Sequence, residues 1–184
     1  MKQGFTLIEA VVVMSVSVVV LMALVNLFFV FNSMYGYQQA FIATAGSSGA
    51  ALNALEAAVL PADRVLASHA FSGTSYASGS TTLVLSLPAF NGSGAIVESA
   101  KDYVVFYASS TEFYRLVLAD AQSVRVSGLT RLSGTLDAVS FTYDDADFSQ
   151  VTNVIADIQT RAQYKEQTVQ SRVREQLYLR NFSP

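Results

Sequence analysis

The chain has 184 residues, a net charge of −3 and no cysteine. The lack of cysteine excludes a disulfide framework, thiol chemistry and cysteine-based metal sites, and the mildly acidic balance argues against bulk nucleic-acid binding. Residues 62–184 are long enough for one domain and short for two.

A membrane-length apolar run lies close to the N-terminus. Residues 10–31 contain only two serines and one asparagine as clearly polar members. As a helix, this run would span about 33 Å, which is enough for a hydrocarbon core of ~30 Å, whereas soluble strands are much shorter. Lys2 precedes the run, and the next basic residue is Arg64. The positive-inside rule therefore predicts a cytoplasmic N-terminus with the rest of the chain outside.

A secretory signal peptide is the first alternative interpretation of this run. Such a peptide has an apolar core of about 7–15 residues and a small-residue cleavage site after it. The run in this chain is longer, and no such site follows cleanly. A membrane helix is therefore the better interpretation.

One carboxylate, Glu9, stands directly before the apolar run. Burying an unpaired charge at the centre of a bilayer costs about 2.5–3.5 kcal/mol even on lenient scales, so a simple anchor would do better without it. Either the glutamate reaches back to the headgroup level, or a partner neutralises it.

The residues around Glu9, KQGFTLIE at 2–9, resemble the processing site of type IV prepilins and type II secretion pseudopilins. In that family, a membrane peptidase cuts after the glycine that ends a short basic leader, and the new N-terminal residue is N-methylated. The resemblance implies a leader over residues 1–4, a cut between Gly4 and Phe5, and methylation at Phe5. It also implies that Glu9 meets the Phe5 ammonium group of a neighbouring subunit during assembly.

The resemblance further implies one long helix over residues 5–60, of which about 8–31 cross the membrane, followed by an extracytoplasmic domain over 61–184. The sequence stays compatible with a helix until Pro61, a natural stop. Past the apolar run, one face of the helix is predicted to be apolar and to pack on the domain. Its members are Phe41, Ala45, Leu52, Leu55 and Val59.

The rest of the chain reads mainly as strands. Residues 72–80, SGTSYASGS, have the composition of a loop. Seven runs follow that either alternate with period two or are rich in aromatic and β-branched residues. The runs at 102–109 and 112–119 are predicted to form a hairpin. The seven runs occupy residues 81–88, 102–109, 112–119, 122–128, 136–144, 153–164 and 168–180. This pattern predicts an antiparallel sheet with one solvent-exposed face, and thus an α+β fold.

The order of these elements is similar to that of the larger minor pilins and the J-type minor pseudopilin of type II secretion. The segments that carry this similarity are FTYDD at 141–145 and YLRNF at 178–182. Major pseudopilins are usually shorter. The similarity therefore favours a minor subunit.

Few residues are candidates for other chemistry. His69 is the only histidine, and a single histidine excludes multi-histidine metal sites and makes a histidine triad improbable. It is predicted to be a polar loop residue. Asp144, Asp145 and Asp147 form an acidic loop that either caps a solvated turn or binds calcium, although the EF-hand pattern is absent. No phosphate-binding loop or nucleophile elbow appears. We expect a protein that is not an enzyme and needs no cofactor.

Three functions remain open at this point. The first is a minor pilin or pseudopilin, which is a structural subunit. Its partners would be other pilins, prepilin peptidase, an inner-membrane assembly platform and the lipid bilayer. The second is a major pilin of a surface fibre, and the third is a binding domain on a membrane anchor. Binding of single-stranded nucleic acid through Arg172, Arg174, Arg180 and nearby tyrosines is a minor option, because basic residues are few.

Overall fold

The computed structural model describes residues 6–182, so Gly4 and Phe5 lie outside the described part. The chain divides into two compact units with the boundary between Ala40 and Phe41. One helix, α1, runs over Leu7–Val59, and antiparallel strands follow it. The predicted long N-terminal helix, its end before Pro61 and the α+β fold class are confirmed.

The N-terminal unit consists of the first part of α1. Every side chain from residue 6 to residue 43 is exposed or half-buried. The two serines of the apolar run satisfy their own hydroxyl groups, because Ser15 Oγ and Ser17 Oγ each donate a 2.8 Å hydrogen bond to the carbonyl four residues earlier. Residues 10–31 of the helix therefore present an almost wholly apolar surface.

The second unit contains a five-stranded antiparallel sheet in the order β1-β4-β5-β6-β7. Its strands are β1 (Arg64–Val65), β4 (Thr82–Phe90), β5 (Ile96–Ser109), β6 (Glu112–Leu118) and β7 (Gly128–Ser133). The predicted hairpin is β5–β6, in which Ser109 lies opposite Glu112. Ser110 occupies the two-residue turn with φ of 56°.

Two smaller sheets complete this unit. A three-stranded sheet has the order β10-β9-β8, and a two-stranded hairpin pairs β2 with β3. The strands are β2 (Ser68–Phe71), β3 (Thr74–Ala77), β8 (Leu136–Tyr143), β9 (Asn153–Tyr164) and β10 (Gln167–Tyr178). A short 3₁₀ helix, Phe148–Gln150, precedes β9.

One hydrophobic core joins residues 51–59 of α1 to both larger sheets. Leu55 and Val59 on the helix, Phe106 and Phe113 on the five-stranded sheet, and Ile158 on β9 are all fully buried in it. The helical face is shifted from the prediction. Its buried members are Thr44, Ser48, Ala51, Leu52, Leu55, Ala58 and Val59, whereas Phe41 is 48% exposed.

The alternation predicted for β9 is confirmed. Val154, Ala156, Ile158 and Thr160 are fully buried on one face of β9, and their neighbours along the strand are less buried. The prediction of one solvent-exposed face is wrong for β4. Its residues 83–89 are buried on both faces, because the β2–β3 hairpin covers the outer side of the sheet.

Two segments were predicted wrongly. Residues 72–80 are not all loop, because β3 pairs with β2 across a turn in which Ser72 and Gly73 have φ of 48° and 94°. Residues 122–128 form no strand before Gly128. They belong to a connection that the carboxylate of Asp102 in β5 holds, through Ser123 and Arg125.

Candidate functional site

The first turn of α1 is closed by Thr6 and Glu9. Thr6 N and Thr6 Oγ1 donate hydrogen bonds of 3.0 and 2.9 Å to Glu9 Oε2. Glu9 N donates a 3.3 Å hydrogen bond back to Thr6 Oγ1. This is the reciprocal arrangement of a capping box, in which a threonine and the glutamate three residues later satisfy each other's free backbone donors. Thr6 therefore caps the helix, and Glu9 is held at its first turn.

The capping box places the Glu9 carboxylate on a helix end that also carries the positive end of the helix dipole. Among residues 6–182, the hydrogen bonds to this carboxylate come from Thr6, and both end on Oε2. The side chain is exposed within the single chain. Its geometry leaves it accessible to a positively charged partner, while the cap lowers the cost of its charge.

The helix behind this turn has the length and apolar character of a membrane span. Of the part of the chain that the structure describes, α1 is the one helix that meets both criteria. Exposed valine, leucine, methionine and phenylalanine side chains surround it from Leu7 to Phe31. An unpartnered surface of this kind is stable in lipid or against other apolar helices, and not in water.

The acidic loop lies between β8 and β9, and its carboxylates accept hydrogen bonds from side chains and backbone N–H groups of the same segment. Asp144 accepts hydrogen bonds from Thr152 Oγ1 at 2.5 Å and from Asn153 Nδ2 at 2.7 Å. Asp145 accepts the backbone N–H of Asp147 at 2.8 Å, and Asp147 caps the 3₁₀ helix through Ser149 N at 2.9 Å. Each carboxylate thus stabilises the turn.

Hydrogen bonding changes the acidity of this loop. Partial burial raises the pKa of Asp144, but the bonds from Thr152 and Asn153 outweigh it, so the pKa lies below its usual value. The backbone N–H of Ser149 lowers the pKa of Asp147. Within residues 6–182, no three histidine, cysteine, aspartate or glutamate side chains are grouped so that they could hold a metal ion.

The remaining candidates lie apart from the N-terminal motif. His69 is in β2 and not in a loop, and its ring stacks on Tyr103 with centroids 3.7 Å apart. Arg172 pairs with Asp157 across β9 and β10, with hydrogen bonds of 2.9 and 2.5 Å. Tyr178 is 55% exposed, but the arginines and tyrosines of this sheet form no stacked array among the ring contacts described for residues 6–182.

A family model described as the prokaryotic N-terminal methylation motif matches residues 1–25. The matched segment contains Gly4, Phe5 and the Thr6–Glu9 cap, and it ends inside the apolar part of α1. The chain therefore carries a prokaryotic N-terminal methylation motif in its first 25 residues. No curated protein and no solved structure matches the chain.

Sequence reasoning missed the role of Thr6. The signal was present, because a threonine followed three residues later by a glutamate before an apolar run is the sequence signature of a capping box. Within residues 6–9, the resemblance to prepilins predicted a role for Glu9 and none for Thr6. The cap gives Glu9 a second physical function, which the tests of its role must separate from pairing with a neighbour.

Proposed function

We propose that the chain is a minor pilin or pseudopilin: a structural subunit that prepilin peptidase processes and that assembles into a short filament through its N-terminal helix. The observation that carries the proposal is the sequence of features at the N-terminus. A methylation motif, a capped glutamate and an exposed apolar helix follow one another without interruption. A plain membrane anchor requires only the third.

In this proposal, Gly4 and Phe5 form the cleavage site. Glycine has no side chain, so the peptide bond after it can enter a narrow protease cleft. The cut releases an ammonium group on Phe5, which is then methylated. In the sequence, Phe5 directly precedes Thr6 and lies four residues before Glu9.

Glu9 then acts in assembly. A carboxylate inside a bundle of apolar helices is costly alone, whereas a carboxylate and an ammonium group from adjacent subunits neutralise each other. The Thr6 cap keeps the Glu9 side chain close to the helix N-terminus. The pairing therefore sets the axial position at which one helix meets the next, in addition to any stability that it supplies.

Before assembly, the subunit would cross the inner, or cytoplasmic, membrane once. Its N-terminus would face the cytoplasm, and residues 61–184 would lie outside. An inner-membrane assembly platform would then extract it into the filament, which could serve secretion, pilus initiation or DNA uptake. The size of its β-rich domain and the closing segment YLRNF support the minor subtype, close to the J-type pseudopilin of type II secretion.

A structural role also agrees with the chemistry of the domain. The acidic loop caps its own turn, and the only histidine is stacked against a tyrosine. We propose that the protein is not an enzyme and that it works without a cofactor.

Incorporation into filaments tests this function. The full-length chain should be expressed at native level in a cell with a complete assembly system, and sheared or cross-linked filaments should be collected. A minor subunit is expected to be present at a small fraction of the dominant pilin. A chain that makes up most of the filament would be a major pilin, and a processed chain that stays in the membrane fraction during active assembly would contradict a filament role.

A further inference from the structure

Asn26 differs from the other polar side chains of the apolar run 10–31. Its amide is exposed on α1 and forms no hydrogen bond within residues 6–182. Ser15 and Ser17, in contrast, each donate to the carbonyl four residues earlier. An asparagine amide carries two N–H donors and one carbonyl acceptor. In hydrocarbon, these groups are costly until another polar group meets them.

The position of Asn26 in the span keeps its amide away from the lipid headgroups. With residues 10–31 across the membrane, Asn26 lies five residues before the outer end, about 8 Å inside the hydrocarbon. Helical side chains tilt toward the N-terminus, which here is toward the middle of the bilayer. Long lysine and arginine side chains can reach back to the headgroups, but an asparagine side chain is too short. The amide therefore needs a partner inside the membrane.

Asn26 shares one side of the helix with two serines. It lies eleven residues after Ser15 and seven residues before Ser33. At about 100° per residue, these three positions fall within about 20° of one another around the helix, and we call them the polar stripe. Ser17 lies about 180° from Asn26, on the opposite side. Spacings of seven and eleven residues are those that keep one seam of a helix against a partner helix.

A shallow groove of apolar side chains borders the polar stripe. It has a volume of about 340 Å³ and is lined by Val18, Leu21, Met22, Val25 and Asn26 itself. The four apolar members follow the spacing i, i+3, i+4, i+7. Four residues with this spacing form the hole that receives a side chain of a facing helix in knobs-into-holes packing. A second helix can therefore pack beside the stripe while its own polar group meets Asn26.

We propose that the polar stripe is the contact between two copies of this chain in the membrane, with the two Asn26 amides hydrogen-bonded to each other. In a parallel pair with two-fold symmetry, each residue of the seam meets its own counterpart. An amide is complementary to itself, because the N–H of one can donate to the carbonyl of the other. The same axis brings Ser15 and Ser33 to their counterparts at their own depths. A different helix would need polar groups at all three depths.

This pairing goes beyond the proposed function and shares with it only the membrane span. Both copies cross the membrane in the same direction, so a parallel pair agrees with a single topology. The contact lies within residues 15–33, and it needs neither a cut after Gly4 nor a partner for Glu9. It can therefore be tested in cells in which no processing and no filament assembly take place.

The experiment exploits the absence of cysteine from the chain, because a single introduced cysteine then reports one contact. The full-length chain is produced in a host without prepilin peptidase or other pilins, and its membranes are treated with copper phenanthroline. Ser15→Cys and Ser33→Cys should form disulfide-linked dimers, since facing seam positions come within disulfide reach. Ser17→Cys is the matched control. It replaces a serine with the same backbone hydrogen bond on the opposite side, and it should form at least about fivefold less dimer.

Substitutions at Asn26 test whether its amide holds the pair. In the Ser33→Cys chain, Asn26→Leu should weaken association by about 3- to 30-fold, the range for hydrogen bonds between helices in membranes. Asn26→Gln keeps an amide and should retain most of the dimer. Carbonate extraction of each variant confirms that the chain stays in the membrane, so that a lower yield reflects weaker pairing.

Four results would overturn the proposal. Equal dimer yields from Ser15→Cys and Ser17→Cys would show random collision. An unchanged yield with Asn26→Leu would show that the amide does not hold the pair. A cross-link that forms only to another pilin, when one is co-produced, would assign the stripe to a different subunit. A chain that carbonate extracts would overturn the membrane span of the proposed function as well, whereas a monomer held in the membrane would overturn the pairing alone.

Discussion

Thr160 Oγ1 in β9 donates a 3.0 Å hydrogen bond to the backbone carbonyl of Thr44 in α1, and both residues are fully buried. Ser48 Oγ and Ser171 Oγ approach within 3.1 Å one helical turn further on. The helix–sheet contact is therefore polar around Thr44 and Ser48, in contrast to the apolar contacts around Leu55. Short hydroxyl side chains let the helix backbone lie close to the strand and fix its axial position.

Replacing Thr160 with valine should weaken this contact without leaving a cavity. The side chain keeps its shape but loses the donor, and a typical buried hydrogen bond contributes about 1 kcal/mol to stability. Thr160→Val should thus lower the free energy of unfolding by about 1 kcal/mol and the melting temperature by about 2–4 °C. Thermal unfolding of the full-length chain in detergent measures the change. Thr142→Val, at an exposed position of β8, is the control and should have little effect.

The buried carboxylate of Asp102 holds the connection between β6 and β7. It accepts Asp120 N at 2.8 Å, Ser123 Oγ at 2.7 Å and Arg125 Nη1 at 2.6 Å, and it is fully buried. Asp102→Ala should cost about 3–5 kcal/mol, because it leaves the arginine without its partner. Limited trypsin digestion followed by mass spectrometry should show faster cleavage after Arg125.

The exposed pair of Asp137 and Arg161 is a suitable control for this experiment. Their closest atoms are 3.4 Å apart, and both side chains are partly exposed. Pairs of this kind contribute about 0–1 kcal/mol, so Asp137→Ala should leave both stability and cleavage after Arg125 nearly unchanged. Equal effects of the two substitutions would show that Asp102 has no special role in holding the connection.

The acidic loop predicts how stability depends on pH. The pKa of Asp144 lies below its usual value of about 3.9 in the folded chain, so the unfolded chain binds the proton more readily. The contribution of Asp144 is therefore complete above that usual value and is lost as the pH falls through its lower, folded value. Asp144→Asn should flatten the loss of stability below about pH 4.

Denaturant unfolding across this acidic range measures the slope. Asp145→Asn changes the same charge in the same loop, at a carboxylate that accepts the backbone N–H of Asp147. It is therefore the control for the loss of one negative charge from this loop. Identical slopes for wild type and Asp144→Asn would contradict the stabilising role assigned to the Asp144 hydrogen bonds.

The strands that the sequence predicted correctly are those whose own residues decide their burial. In β9, alternation between Val154, Ala156 and Ile158 and their polar neighbours follows the period of a strand against one core. The β2–β3 hairpin was missed because its residues are small and polar. Packing of Phe71 and Tyr76 on the outer face of the distant β4 and β5 stabilises it.

The opposite error occurred at residues 122–128. Val124 and Val126 alternate as in a strand, but they are 56% and 83% exposed, and Asp102 holds the segment as a loop. The N-terminal motif was readable because its residues are adjacent in the chain. The row of Arg64, Ser86 and Tyr103 across the five-stranded sheet could not be read in this way, because only the sheet register brings these three residues together.

The two physical functions of Glu9 can be separated by three variants. Glu9→Gln keeps an oxygen that accepts the Thr6 hydrogen bonds but removes the charge, Glu9→Ala removes both, and Thr6→Val removes the hydroxyl of the cap. Loss of one partner of a buried pair costs about 3–5 kcal/mol, whereas loss of a cap costs about 1 kcal/mol. If pairing with Phe5 drives assembly, both Glu9 variants should fail to enter filaments and Thr6→Val should largely succeed.

Co-purification with partner pilins, from cells in which the variant is the sole copy, measures this outcome. Membrane insertion and processing should be unchanged in all three variants. Wild-type incorporation of Glu9→Gln, with poor incorporation of Thr6→Val, would assign Glu9 to capping and reject the pairing. Partial tolerance of Glu9→Ala would favour a tip position, because a subunit at the tip has no neighbour above it.

The N-terminal mass of the mature protein shows whether prepilin peptidase processes this chain. Full-length protein should be purified from the membranes of cells with an active prepilin peptidase, alongside Gly4→Val, in which a branched side chain crowds the cleavage site. We expect the wild-type chain to begin at Phe5 with one added methyl group and Gly4→Val to keep residues 1–4. A wild-type chain that still begins at Met1 in those cells would contradict it.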